Sequence, residues 1–173
     1  MNRAVSSTDA AGGVSSVVYD ADGRVISATD PEGAVTNYSY NLNGNIVSVV
    51  DTLNNATMLT YDPMNRVSTM TDARGAITSY TYTATGQIET VTDALGGVRS
   101  YGYDLLGRLV TETNELGNPT TYTFDALGRV LTVTNPLGDT DSLAYDALGR
   151  ITSVTDKNGN QTRYNYDANG NIR

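Results

Sequence analysis

Runs rich in β-branched, aromatic and hydroxyl-bearing residues alternate along the whole chain with short stretches that hold Asp or Asn and then Gly. Segments such as RVISAT (24–29) and ITSYTY (77–82) have strand composition, and Tyr80 and Tyr82, two apart, share one face. No window shows the helical interval of three to four residues.

The alternation is strictly periodic. Aromatic residues stand at Tyr19, Tyr40, Tyr61, Tyr82, Tyr103, Phe124, Tyr145 and Tyr166, each 21 residues from the last. With the aromatic as position 1, comparison between the copies gives Y-D-x-x-G-R-V-x-S/T-V-T-D-x-x-G-x-V-T-x-Y-x. Glycine occupies position 5 except at Asn65, and position 15 except at Asn54. Asn is the residue that best replaces Gly where φ is positive, so both positions, Gly128 and Gly149 among them, are expected in the left-handed region. Three residues before each sits Asp, Asn or Thr, and Asp at i with Gly at i+3 marks a type I turn. Pro31, Pro63 and Pro136 follow the turn-opening residue, where a φ near −65° is wanted. Asp20 with Gly23, Asp104 with Gly107, Asp125 with Gly128 and Asp146 with Gly149 stand for the first turn series, and Asp30 with Gly33 for the second.

Two turns per repeat predict strands near positions 6 to 11 and 16 to 22. The fold class is therefore all-β: a continuous antiparallel meander with two strands per repeat and about sixteen strands in all. The register holds throughout, so residues 1–173 read as one array of about eight repeats with no separate domain. Open sheets beyond about ten strands tend to curl, and the array is expected to form a spiral sheet, shell segment or tube.

A hydrophobic content of 39% with 8% aromatic residues is spread evenly, without a concentrated core segment. Burial is expected to repeat as well. Tyr at positions 1 and 20 (Tyr38 with Tyr40, Tyr80 with Tyr82, Tyr101 with Tyr103, Tyr164 with Tyr166) would form aromatic ladders between repeats. The net charge of −8 argues against nucleic acid or an anionic membrane as partner. With neither cysteine nor histidine there is no thiolate or imidazole to ligate a metal or act as a base, and no cofactor is expected. No apolar run reaches membrane-spanning length, and the first thirteen residues lack a signal-peptide core.

The phrases YDADGRVISATDPEG, YDLLGRLVTETNELG and YDALGRITSVTDKNG resemble the tyrosine-aspartate repeat of the Rhs/YD-repeat family, along the whole chain. That family includes bacterial Rhs polymorphic toxins, cocoon-forming subunits of Tc toxin complexes, teneurins and wall-associated bacterial proteins. The resemblance implies a long antiparallel sheet spiralling into a hollow shell, which encloses a toxic domain in the bacterial toxins and serves as a rigid scaffold in teneurins. The core segment that carries self-cleavage in toxin members has no counterpart here, so that activity is not carried over.

Regularly spaced aspartates also suggest calcium, but the nine-residue double-glycine period of calcium-bound β-solenoids does not recur. Turn capping accounts for the aspartates and their replacement by Asn and Thr. Arg24, Arg66, Arg108, Arg129 and Arg150 recur at position 6, replaced by Asn45, Gln87 and Asn171. Each is expected over a nearby Tyr face or on a turn Asp, the other reading being a ligand-binding row. Three functions compete. The first is a non-catalytic shell segment of a larger secreted or surface Rhs-type protein. The second is a fibre or tube built by strand pairing between terminal strands, since no capping repeat protects either end. The third is an adhesin whose tyrosine rows bind a cell-surface glycan. The partners expected are further YD repeats or copies of the chain, and the location extracellular or cell-surface.

Overall fold

The computed structural model describes residues 3–173. The first eight strands are β1 (Arg3–Thr8), β2 (Val14–Tyr19), β3 (Val25–Thr29), β4 (Val35–Tyr40), β5 (Ile46–Val50), β6 (Ala56–Tyr61), β7 (Val67–Thr71) and β8 (Ile77–Tyr82). The rest are β9 (Ile88–Thr92), β10 (Val98–Tyr103), β11 (Leu109–Thr113), β12 (Pro119–Phe124), β13 (Val130–Thr134), β14 (Thr140–Tyr145), β15 (Ile151–Thr155) and β16 (Gln161–Arg163). Among the described residues there is no helix, and the sheet order follows the chain order throughout. The fold is an all-β antiparallel meander. Its contacts group into two units, one running to Thr81 and including Thr92–Gly96, the other made of Tyr82–Val91 and Gly97–Arg173.

Two kinds of pairing alternate. In the second unit β12 and β13 pair as Thr121↔Thr134, Tyr122↔Val133 and Thr123↔Thr132, then jump to Phe124↔Val130, leaving Leu131 unmatched. This β-bulge recurs beside Tyr103 and Tyr145, and in the first unit beside Tyr19, Tyr40 and Tyr61. The next pair behaves differently. β13 and β14 match only over Thr132↔Ser142, Val133↔Asp141 and Thr134↔Thr140, so their ladder stops before the end that carries Tyr145. β3 and β4 do the same, ending at Ser27↔Asn37. Each repeat is thus fully zipped at one turn and splayed at the other.

The turns are four-residue units. Gly128 donates its N–H to the Asp125 carbonyl at 3.1 Å, and Asp125 donates to the Arg129 carbonyl at 2.9 Å. One repeat on, Gly149 donates to the Asp146 carbonyl at 3.0 Å, and Asp146 donates to the Arg150 carbonyl at 2.9 Å. The second bond of each turn explains why β13 begins at Val130, one residue later than the spacing predicts: the Arg129 backbone belongs to the turn. Among the described residues positive φ occurs at fourteen glycines, with Gly128 and Gly149 both at 82°, and at two other residues, Asn54 (63°) and Asn65 (61°).

Among the described residues none is fully buried, so there is no core. Each face is held by partial cross-strand contacts. One face carries Tyr and aliphatic pairs such as Tyr122↔Val133 and Leu143↔Val154. The other carries hydroxyls bonded across strands, Thr123 to Thr132 at 2.6 Å and Thr134 to Thr140 at 2.8 Å.

The Gly128 turn separates backbone strain from packing, because φ is 82° and a Cβ built there meets nothing within 4 Å. Gly128→Val is expected to destabilise the protein by at least about 1 kcal/mol through strain alone. Gly128→Asn should lose clearly less, since Asn54 and Asn65 already hold this conformation. Urea unfolding of the two variants checks this; equal losses would contradict it.

Candidate functional site

The residues singled out by the repeat meet at the splayed end of each repeat. Asp20 shows how. Its Oδ1 accepts the backbone N–H of Asp22 (3.0 Å) and of Arg24 (2.9 Å), which closes the turn. Its Oδ2 accepts Nε of Arg24 at 2.7 Å, with Nη2 also 2.7 Å away. Such a two-point grip orients the guanidinium plane. That plane lies 5.0 Å from the ring centroid of Tyr40, the aromatic residue of the following repeat. The Tyr40 hydroxyl then donates to the Val25 carbonyl at 2.6 Å. Val25 lies beyond the point where the β3–β4 ladder stops, so the phenol supplies the missing donor.

The second unit repeats the arrangement with an added contact. Arg129 Nε lies 2.6 Å from Asp125, its guanidinium 4.5 Å from the Tyr145 centroid, and Nη1 donates to the Asp146 carbonyl at 3.2 Å. The same Nη1 lies beside Gly149, where an added Cβ would stand in ordinary contact with it at 3.7 Å, so it is the φ of 82° that calls for glycine here. Tyr145 in turn donates to the Val130 carbonyl at 2.8 Å. One arginine thereby holds its own turn, the next repeat's ring and the next repeat's turn. Arg108 does the same on Phe124 (4.8 Å) and the Asp125 carbonyl (3.0 Å), although Phe124 has no hydroxyl to bond Leu109. Arg150 stacks on Tyr166 at 4.4 Å, and Tyr166 donates to Ile151 at 2.8 Å. Tyr61 and Tyr103 donate likewise to Ile46 and Ile88. Asp62 binds Arg66 at 2.8 Å.

Where position 6 is not arginine, the replacement still reaches the next repeat. Gln87 Nε2 donates to the Gly107 carbonyl at 2.7 Å. Asn45 and Asn43 both donate side-chain N–H groups to Asn65 Oδ1, at 3.0 and 2.8 Å. Arg3 was missed in the sequence series although it falls 21 residues before Arg24, and its guanidinium stacks on Tyr19 at 4.7 Å. The second turn series has no aspartate-held arginine of this kind, and its links between repeats are occasional, as from Lys157 to Asp139 at 2.9 Å. Asp30 accepts the N–H of Ala34 at 2.8 Å and, like Gly33 with φ 85°, completes its own turn.

The electrostatics follow from these bonds. The backbone N–H of the arginine four residues on holds the carboxyls of Asp20, Asp62, Asp104, Asp125 and Asp146 below their ordinary value of 3.8, and the guanidinium adds to it. A carboxyl more acidic when folded contributes stability that is present above about pH 4 and is lost as pH falls through the depressed folded values. Melting temperature is therefore expected to stay level between pH 7 and 5 and to fall below about pH 4. A flat acid limb would contradict the role of these carboxyls. The ring contact has its own test. Arg129→Ala and Tyr145→Leu, alone and combined, should show a coupling of about 0.5–1 kcal/mol, and strict additivity would show that the two do not interact.

Comparison with known proteins agrees with this architecture. The teneurin YD-shell family model matches residues 14–140, and the RHS repeat matches residues 145–173. No curated protein sequence matches the chain. The fold is similar to the crystal structure of TcdB2-TccC3-Cdc42, with a TM-score of 0.72 and 17% identity over 90% of this chain and 10% of that one. It is also similar to a mutant Tc holotoxin pore of Photorhabdus luminescens, with a TM-score of 0.69 and 15% identity over 92% of this chain and 12% of that one. The chain thus spans about a tenth of the length of these structures. Since the first match alone takes in well over half of the 173 residues, the chain belongs to the teneurin YD-shell family of YD-repeat proteins.

Proposed function

We propose that this chain is a non-catalytic wall segment of a larger Rhs-type shell, secreted or displayed at a cell surface, and that the shell encloses or presents another domain. The observation that carries this reading is the arginine link. In the repeats that carry it, it joins one repeat to the next through half-buried side chains, and so it extends a one-layer sheet without needing a core beneath it. A wall of this kind gains stability from neighbour contacts, as stacked repeats do.

On this reading residues 1–173 form one array, and Asp20, Gly23, Asp30, Gly33, Asp146, Gly149 and their counterparts shape turns rather than bind a ligand. The aromatic series from Tyr19 to Tyr166 tethers repeats. Membership of a family of shell repeats supports the structural role, and the Tc assemblies of similar fold support association with further YD repeats.

Limited proteolysis of the full-length gene product tests the enclosure. A segment outside the YD repeats is expected to resist protease in the native protein and to become sensitive when Arg108, Arg129 and Arg150 are all replaced by Ala. Equal cleavage of that segment in both proteins would overturn the reading.

A further inference from the structure

The tips of the turns carry side chains that the turns themselves do not need. In the second unit Leu106, Leu127 and Leu148 follow one another at 21-residue intervals along one turn edge, and Leu116 and Leu137 do so along the other. All five are 77% to 85% exposed. Asn158 and Asn169 hold the same place in turns with the same bonds, Gly159 to Asp156 at 2.9 Å and Gly170 to Asp167 at 3.1 Å. Leucine there adds nothing to the turn and leaves apolar surface in water.

Most of the charge around these leucines is paired although the chain carries −8. On the first edge Asp104, Asp125 and Asp146 are each paired with Arg108, Arg129 and Arg150. On the second edge the turns of Leu116 and Leu137 open with Asn114 and Asn135, where Asp156 opens the polar turn that follows. Of the acids beside them Glu115 is paired with Arg99 and Asp139 with Lys157, and Asp141 accepts the Lys157 backbone N–H at 3.0 Å. Two acidic strips would repel each other; here the first edge is charge-paired, so it can meet the mildly acidic second edge without that penalty.

We propose that these edges form a self-association surface, in which the Leu106, Leu127 and Leu148 row of one copy packs against the Leu116 and Leu137 row of a second copy. The rows fit each other. Both advance by one repeat, about 9–10 Å at the usual strand spacing. Three leucines bound two gaps, and the facing row supplies two leucines to fill them. An unrelated partner would use one row, whereas two leucine rows of equal pitch, one of them on a charge-paired edge, suit a contact between unlike edges of identical chains. Such a contact is heterologous and adds copies side by side without closing. Its area is small. A strip about 30 Å long and 10 Å thick buries about 300 Å² per copy, well under the roughly 800 Å² of a standard interface, so the association is weak and grows with concentration. It is independent of whether any domain is enclosed.

Sedimentation velocity of the 173-residue chain, from micromolar to millimolar, tests this. The weight-average mass is expected to rise with concentration. A triple variant (Leu106→Asn, Leu127→Asn, Leu148→Asn) and a double variant (Leu116→Asn, Leu137→Asn) should melt like the parent, because Asn already occupies this turn position. Each should associate at least about tenfold more weakly, since burying one leucine is worth more than a decade in an equilibrium constant. Mixing the two variants should restore a one-to-one dimer, as each keeps the row the other lacks. If the asparagine variants fail to fold, the same sets changed to Thr, after Thr85, give the same test. A parent chain that stays monomeric, variants that associate like the parent, or a mixture without dimer would each overturn the proposal.

Discussion

The structure depends on one arginine held at two points by one aspartate. Without that grip a guanidinium on a flexible stem would lose rotamer entropy on stacking, and an exposed stacked pair returns only about 0.5–1 kcal/mol. Asp125 removes most of that cost beforehand. Its Oδ1 accepts the Arg129 backbone N–H at 3.0 Å while Oδ2 accepts Nε at 2.6 Å, so the carboxylate that closes the turn also aims the side chain. Ordering the turn and ordering the link are the same event. The ring of Tyr145 then meets a plane already in place.

The splayed ladder gives that plane its room. Had β13 and β14 paired along their full length, Val130 would have met a backbone partner and the Tyr145 hydroxyl would have had no carbonyl to reach. The bulge at Leu131 and the early end of the β13–β14 ladder leave the Val130 carbonyl open, and the phenol satisfies it at 2.8 Å. An open carbonyl inside a dry core would cost a lost hydrogen bond. Here the ring covers it and bonds it together. Phe124 shows that the two functions separate: it keeps the stacking at 4.8 Å and gives up the hydroxyl bond.

The meander and its turns were legible because they are local. An interval of 21 and two glycine series with Asn as sole substitute follow from backbone geometry, which every copy must satisfy separately. The link was legible only in part. Asp at position 2 travels with Arg at position 6 in the pairs 20/24, 62/66, 104/108, 125/129 and 146/150, while Asn41 goes with Asn45 and Thr83 with Gln87. Asp167 with Asn171 departs from this, and there the amide bonds the carboxylate at 3.2 Å instead. That covariation marks a pair within a repeat. The reach to the ring 16 residues on could not be read in the same way, because a tyrosine stands in nearly every copy whatever precedes it. The bulge left no mark either: positions 7 and 8 are mostly apolar, so neither announces that both face a single partner residue.

A sheet with no buried residue among those described must find its stability laterally, and the substitutions at position 6 show how strongly that requirement acts. Gln87 lacks a charge, and Thr83 offers no carboxylate for it to bind. Gln87 nevertheless places Nε2 2.7 Å from the Gly107 carbonyl, at the turn of the next repeat. Asn45 is too short to reach a turn carbonyl as Gln87 does; Asn65, which takes the place of glycine at the facing turn, presents Oδ1 at 3.0 Å. A left-handed residue that also carries an acceptor is more than a tolerated substitute for glycine there. Its backbone meets the φ demand of its own turn at 61°, and its side chain receives the donors of the turn before it. The chemistry at position 6 therefore varies between copies while the connection persists. A wall built from neighbour contacts fails at its weakest junction, which gives each junction reason to keep a bridge of some kind.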